Sequence, residues 1–173
     1  VARQRNQIHG TMTAPISIII PTCNSVQGFG PTLASVFEGV SSGLVCEVIF
    51  ADCGSDDEIE KIAGDLGAEL VQSDKGRGTQ MAAGAKAAKG EWLLFLPSDT
   101  ALSEGWVHDI RKHMVENHNR PGYFRLAFDA QGSPPRFLSP RATLRAAPCG
   151  LPSAHPGVLA SRVEYTTAAG PPV

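Results

Sequence analysis

Three short stretches place polar side chains directly after apolar runs: PTCNS at 21–25, ADCGS at 51–55 and PSDT at 97–100. The carboxylate of Asp99 is a hard oxygen donor, suited to a Mg2+ or Mn2+ ion that completes its shell with water and substrate phosphates. Asp52 is a second lone carboxylate of this kind. It can accept the imide N–H of a uracil or thymine ring, where cytosine would present the wrong donor and acceptor pattern. A fourth stretch, DKGRGTQ at 74–80, sets Arg77 between two glycines just before a helical segment, a place where backbone amides and a guanidinium favour phosphate. It matches neither the phosphate-loop signature nor the dinucleotide fingerprint. Plainer readings compete at each position: Asp99 as a turn or cap residue, Asp52 as an Asx-turn residue, Lys75 and Arg77 as a solvated surface pair.

The elements around these stretches alternate. Ile16 to Ile20 is crowded with β-branched residues and closed by Pro21, which predicts a buried strand. Pro31 opens a helix with Leu33, Val36, Phe37 and Val40 on one face, ended by Ser41-Ser42-Gly43. Val45 to Ala51 repeats the strand, and Ile59, Ile62, Ala63 and Leu66 form the inward face of a second helix. A short strand over Ala68 to Val71, an alanine-rich helix over Thr79 to Ala88 and the apolar run before Pro97 continue the series. Alternation of this kind predicts an α/β fold with a mostly parallel sheet, helices on both faces, and ligands at the carboxyl ends of the strands. All three polar stretches then emerge on one edge. Farther on, a helix carrying Trp106, Val107, Ile110 and Met114 starts at Ser103 and Glu104. A half-buried strand follows over Gly122 to Phe128. Gly157 to Ala160 reads as a short strand, and Ser161 with Glu164 forms a capping-box signature for a last helix. Residues 129–156 are rich in Pro, Arg and Ser without period, long enough for a functional loop.

With 173 residues and 42% hydrophobic content the chain can build one sizeable core, with no room for a second large domain. A net charge of -2 with scattered Lys and Arg lacks the basic footprint of nucleic-acid binding. No apolar run is long enough for a signal peptide or a membrane span, so a cytoplasmic protein is expected, with peripheral membrane attachment left open. Residues 1–13 are polar and aperiodic; they are expected to be a flexible segment, with Met12 a candidate natural start. Cys23, Cys46, Cys53 and Cys149 show no Cys-x-x-Cys spacing and no nearby histidine set, which predicts reduced thiols, several of them buried, rather than a zinc site or disulfides. His108, His113 and His118 fall five residues apart and do not share a helix face, so they form no metal cluster.

The stretches ISIIIPTCNS, EVIFADCGSDD, DKGRGTQMAAGAKAAKGEWLLFLPSDTAL and GVLASRVEYTTAAG resemble the family-2 glycosyltransferases of the GT-A fold. The likeness is close over 16–110 and looser over 122–170. It points in particular to the small bacterial subgroup with a Gly-Arg-x-x-Gln-Met loop. The resemblance implies transfer of a sugar from a UDP- or GDP-linked donor to an acceptor hydroxyl by one domain over 14–173. It implies that Pro21, Thr22 and Asn24 line the nucleoside pocket, that Asp52 binds the base, and that Arg77 approaches the base or diphosphate. Gly54, Ser55, Gln80 and Ser98 complete the implied nucleotide-sugar set, and Asp99 is the implied metal ligand of an Asp-x-Asp motif. Pro97 stands where many relatives have the first aspartate. Relatives also continue to an acidic pair that supplies the catalytic base, so this chain is expected to lack a C-terminal part. Ala154-His155-Pro156 replaces a common Gly-Asp-Gln, which makes His155 a candidate base. The alternative is a degenerate relative that binds a nucleotide sugar or serves as a scaffold without catalysis. A sugar nucleotidyltransferase would need a glycine-rich basic loop after the first strand, which Pro21-Thr22-Cys23-Asn24 does not supply.

Overall fold

The computed structural model describes residues 15–117, 120–124 and 157–169. Ile16–Thr22 (β1), Val45–Asp52 (β2), Glu69–Gln72 (β3) and Trp92–Phe95 (β4) alternate with Gly30–Ser41 (α1), Ile59–Leu66 (α2) and Arg77–Ala87 (α3). Trp106–Glu116 (α4), Gly122–Tyr123 (β5), Val158–Ser161 (β6) and Arg162–Ala169 (α5) follow. The sheet order is β3-β2-β1-β4-β6-β5. β1 pairs in parallel with both β2 and β4, and β2 with β3, whereas β6 runs antiparallel between β4 and β5. The expected mostly parallel sheet is therefore present, and it places the ends of β1, β2 and β4 on one edge.

Burial on both faces explains why β1 reads as a continuous apolar run: Ile16, Ile18, Ile19 and Ile20 are fully enclosed. On one face Ile18 and Ile20 join Phe29 and Val36 of the α1 region, Ile59 and Ala63 of α2, and Trp106 and Ile110 of α4. On the other, Ile19, Ile49, Leu93 and Phe95 meet Ala85 and Ala88 beside α3, with Tyr165 of α5 against them. Ser17, buried in β1, donates to Glu47 Oε1 at 2.6 Å and accepts from Gly90 N at 2.7 Å, so its burial leaves no polar atom unpaired.

α1 is rotated relative to its hydrophobic spacing, whereas α2 keeps Ile59 and Ala63 buried as expected, with Ile62 against the core, and departs at Leu66. Phe37 and Val40 of α1 and Leu66 of α2 are exposed, although their period predicts an inward face. α1 instead buries Thr32, Ser35, Val36 and Gly39. The cause is Trp106, whose Nε1 donates to Ser35 O at 3.1 Å and whose ring lies so close to Gly39 that a Cβ there would stand 2.5 Å from it. Small side chains on α1 let the indole in, and that contact decides the rotation. Gly84 serves the same purpose on the opposite face, where a Cβ would clash with Ile19 Cγ2, so α3 lies close on β1.

The strand expected over Gly122 to Phe128 is present at Gly122–Tyr123, and its remainder beyond Phe124 lies outside the described residues. α3 begins at Arg77 rather than Thr79, which puts Arg77 and Gly78 in its first turn. The capping box expected from Ser161 and Glu164 is formed: Glu164 Oε2 accepts from Ser161 N and Oγ, and Glu164 N donates to Ser161 Oγ at 3.2 Å.

Candidate functional site

β1 and β2 stay paired to their last residues, Thr22 opposite Asp52. Both side chains are buried, and Thr22 Oγ1 donates to Asp52 Oδ1 at 2.9 Å. The chain then turns over Asp52 itself. Gly54 N and Ser55 N donate to Oδ2 at 2.9 and 2.8 Å, and Ser55 Oγ donates to Oδ1 at 2.5 Å. Four protein donors thus occupy the four lone-pair directions of the carboxylate. Burial works to raise the pKa of Asp52, but the hydrogen bonds from Ser55, Thr22 and Gly54 outweigh it and hold the group below the usual aspartate range.

Three side-chain hydrogen bonds and a disulfide further tie the loop after β1 to the loop after β2. Asn24, in the left-handed region at φ 50° that asparagine tolerates, donates its amide to Ser55 Oγ at 2.8 Å. Its Oδ1 accepts from Asp56 N at 2.8 Å. Asp57 Oδ2 accepts from Val26 N at 2.9 Å. Cys23 and Cys53, the residues directly after the paired Thr22 and Asp52, are joined in a disulfide with a Cα–Cα distance of 5.4 Å. This corrects the expectation of reduced, buried thiols: Cys23 is exposed, Cys53 half-buried, and Cys46 exposed. Strand register brings together two cysteines that lie 30 residues apart in the chain.

Gln80 sits beneath these loops. Fixed in the first turn of α3 and buried, it donates from Nε2 to Thr22 O at 2.7 Å and to Ala51 O at 2.8 Å. One amide group therefore fastens the ends of both strands. Arg77, three residues earlier at the start of α3, is exposed. Pro21 is half-buried within β1, opposite Ala51.

After β4, residues Pro97 to Thr100 form a turn closed by Thr100 N donating to Pro97 O at 3.3 Å. Ser98 O accepts from the buried Thr32 Oγ1 at 2.9 Å, which anchors the turn to α1. Asp99 at its tip is exposed, with Thr100 Oγ1 3.4 Å from its Oδ1. Among the described residues no hydrogen bond joins Asp99 to the Thr22–Asp52–Ser55 cluster, and no group of three or more His, Cys, Asp or Glu gathers for a metal. A hard cation at Asp99 would therefore draw its other oxygens from diphosphate and water, a shell that suits Mg2+ or Mn2+. His155 lies outside the described residues.

Thr32 and Asp57 carry roles that the sequence reading did not assign. Pro31 at the helix start marked the place of Thr32, and the Asp56-Asp57 pair before an apolar helix is a local signal for an Asx turn, formed here by Asp57 Oδ1 and Ile59 N at 3.3 Å. Among the described residues no helix is long and apolar enough to cross a membrane.

The family model for glycosyl transferase family 2 matches residues 17–133, a span that includes the loops after β1, β2 and β4 and the start of α3. The chain belongs to that family. No curated protein matches it in sequence. Among solved structures, S. aureus TarS 1-349 in complex with UDP-GlcNAc aligns with a TM-score of 0.56 and 22% identity, over 69% of this chain and 37% of that one. Glucosyl-3-phosphoglycerate synthase from Mycobacterium tuberculosis, in complex with Mn2+, UDP and glucosyl-3-phosphoglycerate, aligns with a TM-score of 0.62 and 22% identity, over 87% of this chain and 57% of that one. These likenesses show the fold, that of the GT-A glycosyltransferases. This family-2 chain spans between about a third and somewhat over half the length of such structures.

Proposed function

We propose that this family-2 chain binds a nucleotide-diphosphate sugar, with UDP as the favoured nucleotide over GDP, at the carboxyl edge of the sheet and transfers the sugar to an acceptor hydroxyl. The observation that carries the reading is the ordered pair of loops around Thr22, Asn24, Asp52 and Ser55, facing the same edge as the Ser98–Asp99 turn. The solved relatives that hold UDP or UDP-GlcNAc support the choice of nucleotide.

The side chains divide the work. Asp52 keeps the nucleoside loops in shape. Two of its four donors are hydroxyls on Oδ1, and of these Ser55, half-buried where Thr22 is fully enclosed, is the one with room to rotate away and let the imide N–H of uracil take its place. Pro21, Asn24 and Gly54 line the ring. Arg77 at the start of α3 offers a guanidinium and the helix N-terminus to the diphosphate. Asp99 would hold Mg2+ or Mn2+, whose charge, when bound, would offset that developing on the leaving diphosphate. The Asp99 carboxylate is suited to this because it is exposed at a turn tip that Thr32 holds in place.

A second reading, donor binding without transfer, is favoured by one feature: Pro97 stands two residues before Asp99, where a second carboxylate would strengthen the metal site. Incubation with UDP-sugars and Mn2+, followed by assay of released UDP, separates the two. Slow donor hydrolysis supports the transferase, whereas nucleotide binding without any release supports the non-catalytic relative. Titration with CDP beside UDP tests the base contact, because cytosine N3 carries no proton, and equal affinity for both would contradict the uracil contact at Asp52; GDP in parallel reads the choice of nucleotide.

A further inference from the structure

The Cys23–Cys53 bond occupies a particular place. It follows the last paired residues of β1 and β2, and it lies between Thr22 and Asn24 on one side and between Asp52 and Gly54 on the other. Every residue flanking it belongs to the loops assigned above to the nucleoside. Cys23 is exposed and Cys53 half-buried, so a solution thiol can reach the bond. Cys46 is exposed near the start of β2, at the far end of the strand from Cys53, with Sγ 3.2 Å from Ile16 O. Sheet geometry therefore separates the third described cysteine from the pair and leaves the pair to exchange between themselves.

We propose that Cys23 and Cys53 form a reversible thiol–disulfide modification site, exchanging with a cellular dithiol/disulfide couple, whose state sets nucleotide affinity. The affinity half of this rests on the nucleotide-site reading above. In the reducing direction a dithiol attacks the exposed Cys23 sulfur, the Cys23–Cys53 bond breaks, and Cys53 leaves as a thiolate that takes a proton. The second thiol of the reductant then displaces Cys23 from the mixed disulfide. Two electrons and two protons pass to the protein, and the reductant ends as its own disulfide.

The consequence for binding follows from the contacts that remain. With the bond closed, the two loops are tied covalently and by the polar links of Thr22 to Asp52, Asn24 to Ser55 and Asp56, and Val26 to Asp57. With it open, only hydrogen bonds hold Asn24 and Ser55 at their separation, and ordering them falls on the nucleotide. Preorganisation lost in this way weakens binding while leaving the contacts themselves available.

The test uses the full chain carrying Cys46→Ser and Cys149→Ser, alone and with Cys23→Ser and Cys53→Ser added. Peptide mapping after alkylation under oxidised and reduced glutathione reads the bond, and calorimetric titration of UDP with Mn2+ reads affinity in each state. The expected result is a cross-link between residues 23 and 53 that opens and closes with the couple, and a UDP affinity about 3- to 10-fold weaker in the reduced form. The variant without the pair should match the reduced form and ignore the couple. Equal affinity in both states, with UDP binding intact, overturns the coupling alone. Absence of UDP binding in both states overturns the nucleotide reading and the coupling with it, and failure of the bond to form under oxidised glutathione overturns the site.

Discussion

Thr22 Oγ1 donates to Asp52 Oδ1 at 2.9 Å, joining the final residues of the two central strands in a contact closed to solvent. This pair is the base on which the loops after β1 and β2, the proposed nucleoside loops, stand. Thr22→Val removes one of four donors from a buried carboxylate and should cost about 1 kcal/mol of stability, with weaker UDP binding. Asp52→Ala strands the Thr22 hydroxyl and the Gly54 and Ser55 amides together and should cost upwards of about 3 kcal/mol and abolish measurable UDP binding. Thermal melts and calorimetry on the two variants check the order.

The same carboxylate gives the protein an acid limit. Burial tends to raise the pKa of Asp52, and its hydrogen bonds overcome that and depress it. A depressed folded-state pKa contributes stability that is fully present above the unfolded value and is lost as pH falls through the folded one. The melting temperature should therefore be flat near neutrality and fall below about pH 4. Glu47 has the same sign: burial works to raise its pKa, but hydrogen bonds from Ser17 and Lys89, with the Lys89 charge, outweigh it and lower the pKa. Asp52→Asn should flatten part of the acid slope and leave the Glu47 part. An unchanged slope would contradict the assignment.

Gln80 is a positioning residue in this arrangement. Gln80→Leu keeps the size of the side chain but removes a donor from Ala51 O and from Thr22 O, the latter retaining Cys53 N at 3.2 Å, at a cost of about 1–3 kcal/mol in all. The variant should melt lower and bind UDP more weakly. Gly39→Ala supplies the control: its Cβ would meet the Trp106 ring at 2.5 Å, so overpacking should cost about 1–3 kcal/mol while UDP affinity at the far edge stays unchanged.

The parallel sheet, its carboxyl-edge loops and the Ser161–Glu164 cap were legible because they depend on local signals: β-branched runs, turn residues and cap spacing. Three features were not, and each depends on register or packing between distant segments. The rotation of α1 follows from Trp106 lodging against Gly39 and Ser35, which hydrophobic spacing within the helix cannot register. The disulfide follows from the pairing of Thr22 with Asp52, which brings the next residue of each strand together. The Asx-turn reading of Asp52 anticipates the Gly54 and Ser55 amides on Oδ2, whereas the Thr22 hydroxyl on Oδ1 follows from strand register and is not visible in sequence. The apolar run ending in Pro97 and Asp99 was legible as a strand and turn, whereas the anchoring of that turn by Thr32 needs the fold.

The most direct test of the nucleotide site is calorimetric titration of UDP into wild type and Asp99→Ala, each with Mn2+ and with EDTA. The account predicts binding to wild type that EDTA weakens by at least about 10-fold, and an equal loss in Asp99→Ala whether or not metal is present. UDP binding that is identical in wild type and Asp99→Ala, with and without Mn2+, would make Asp99 a turn residue alone and contradict the metal-assisted site.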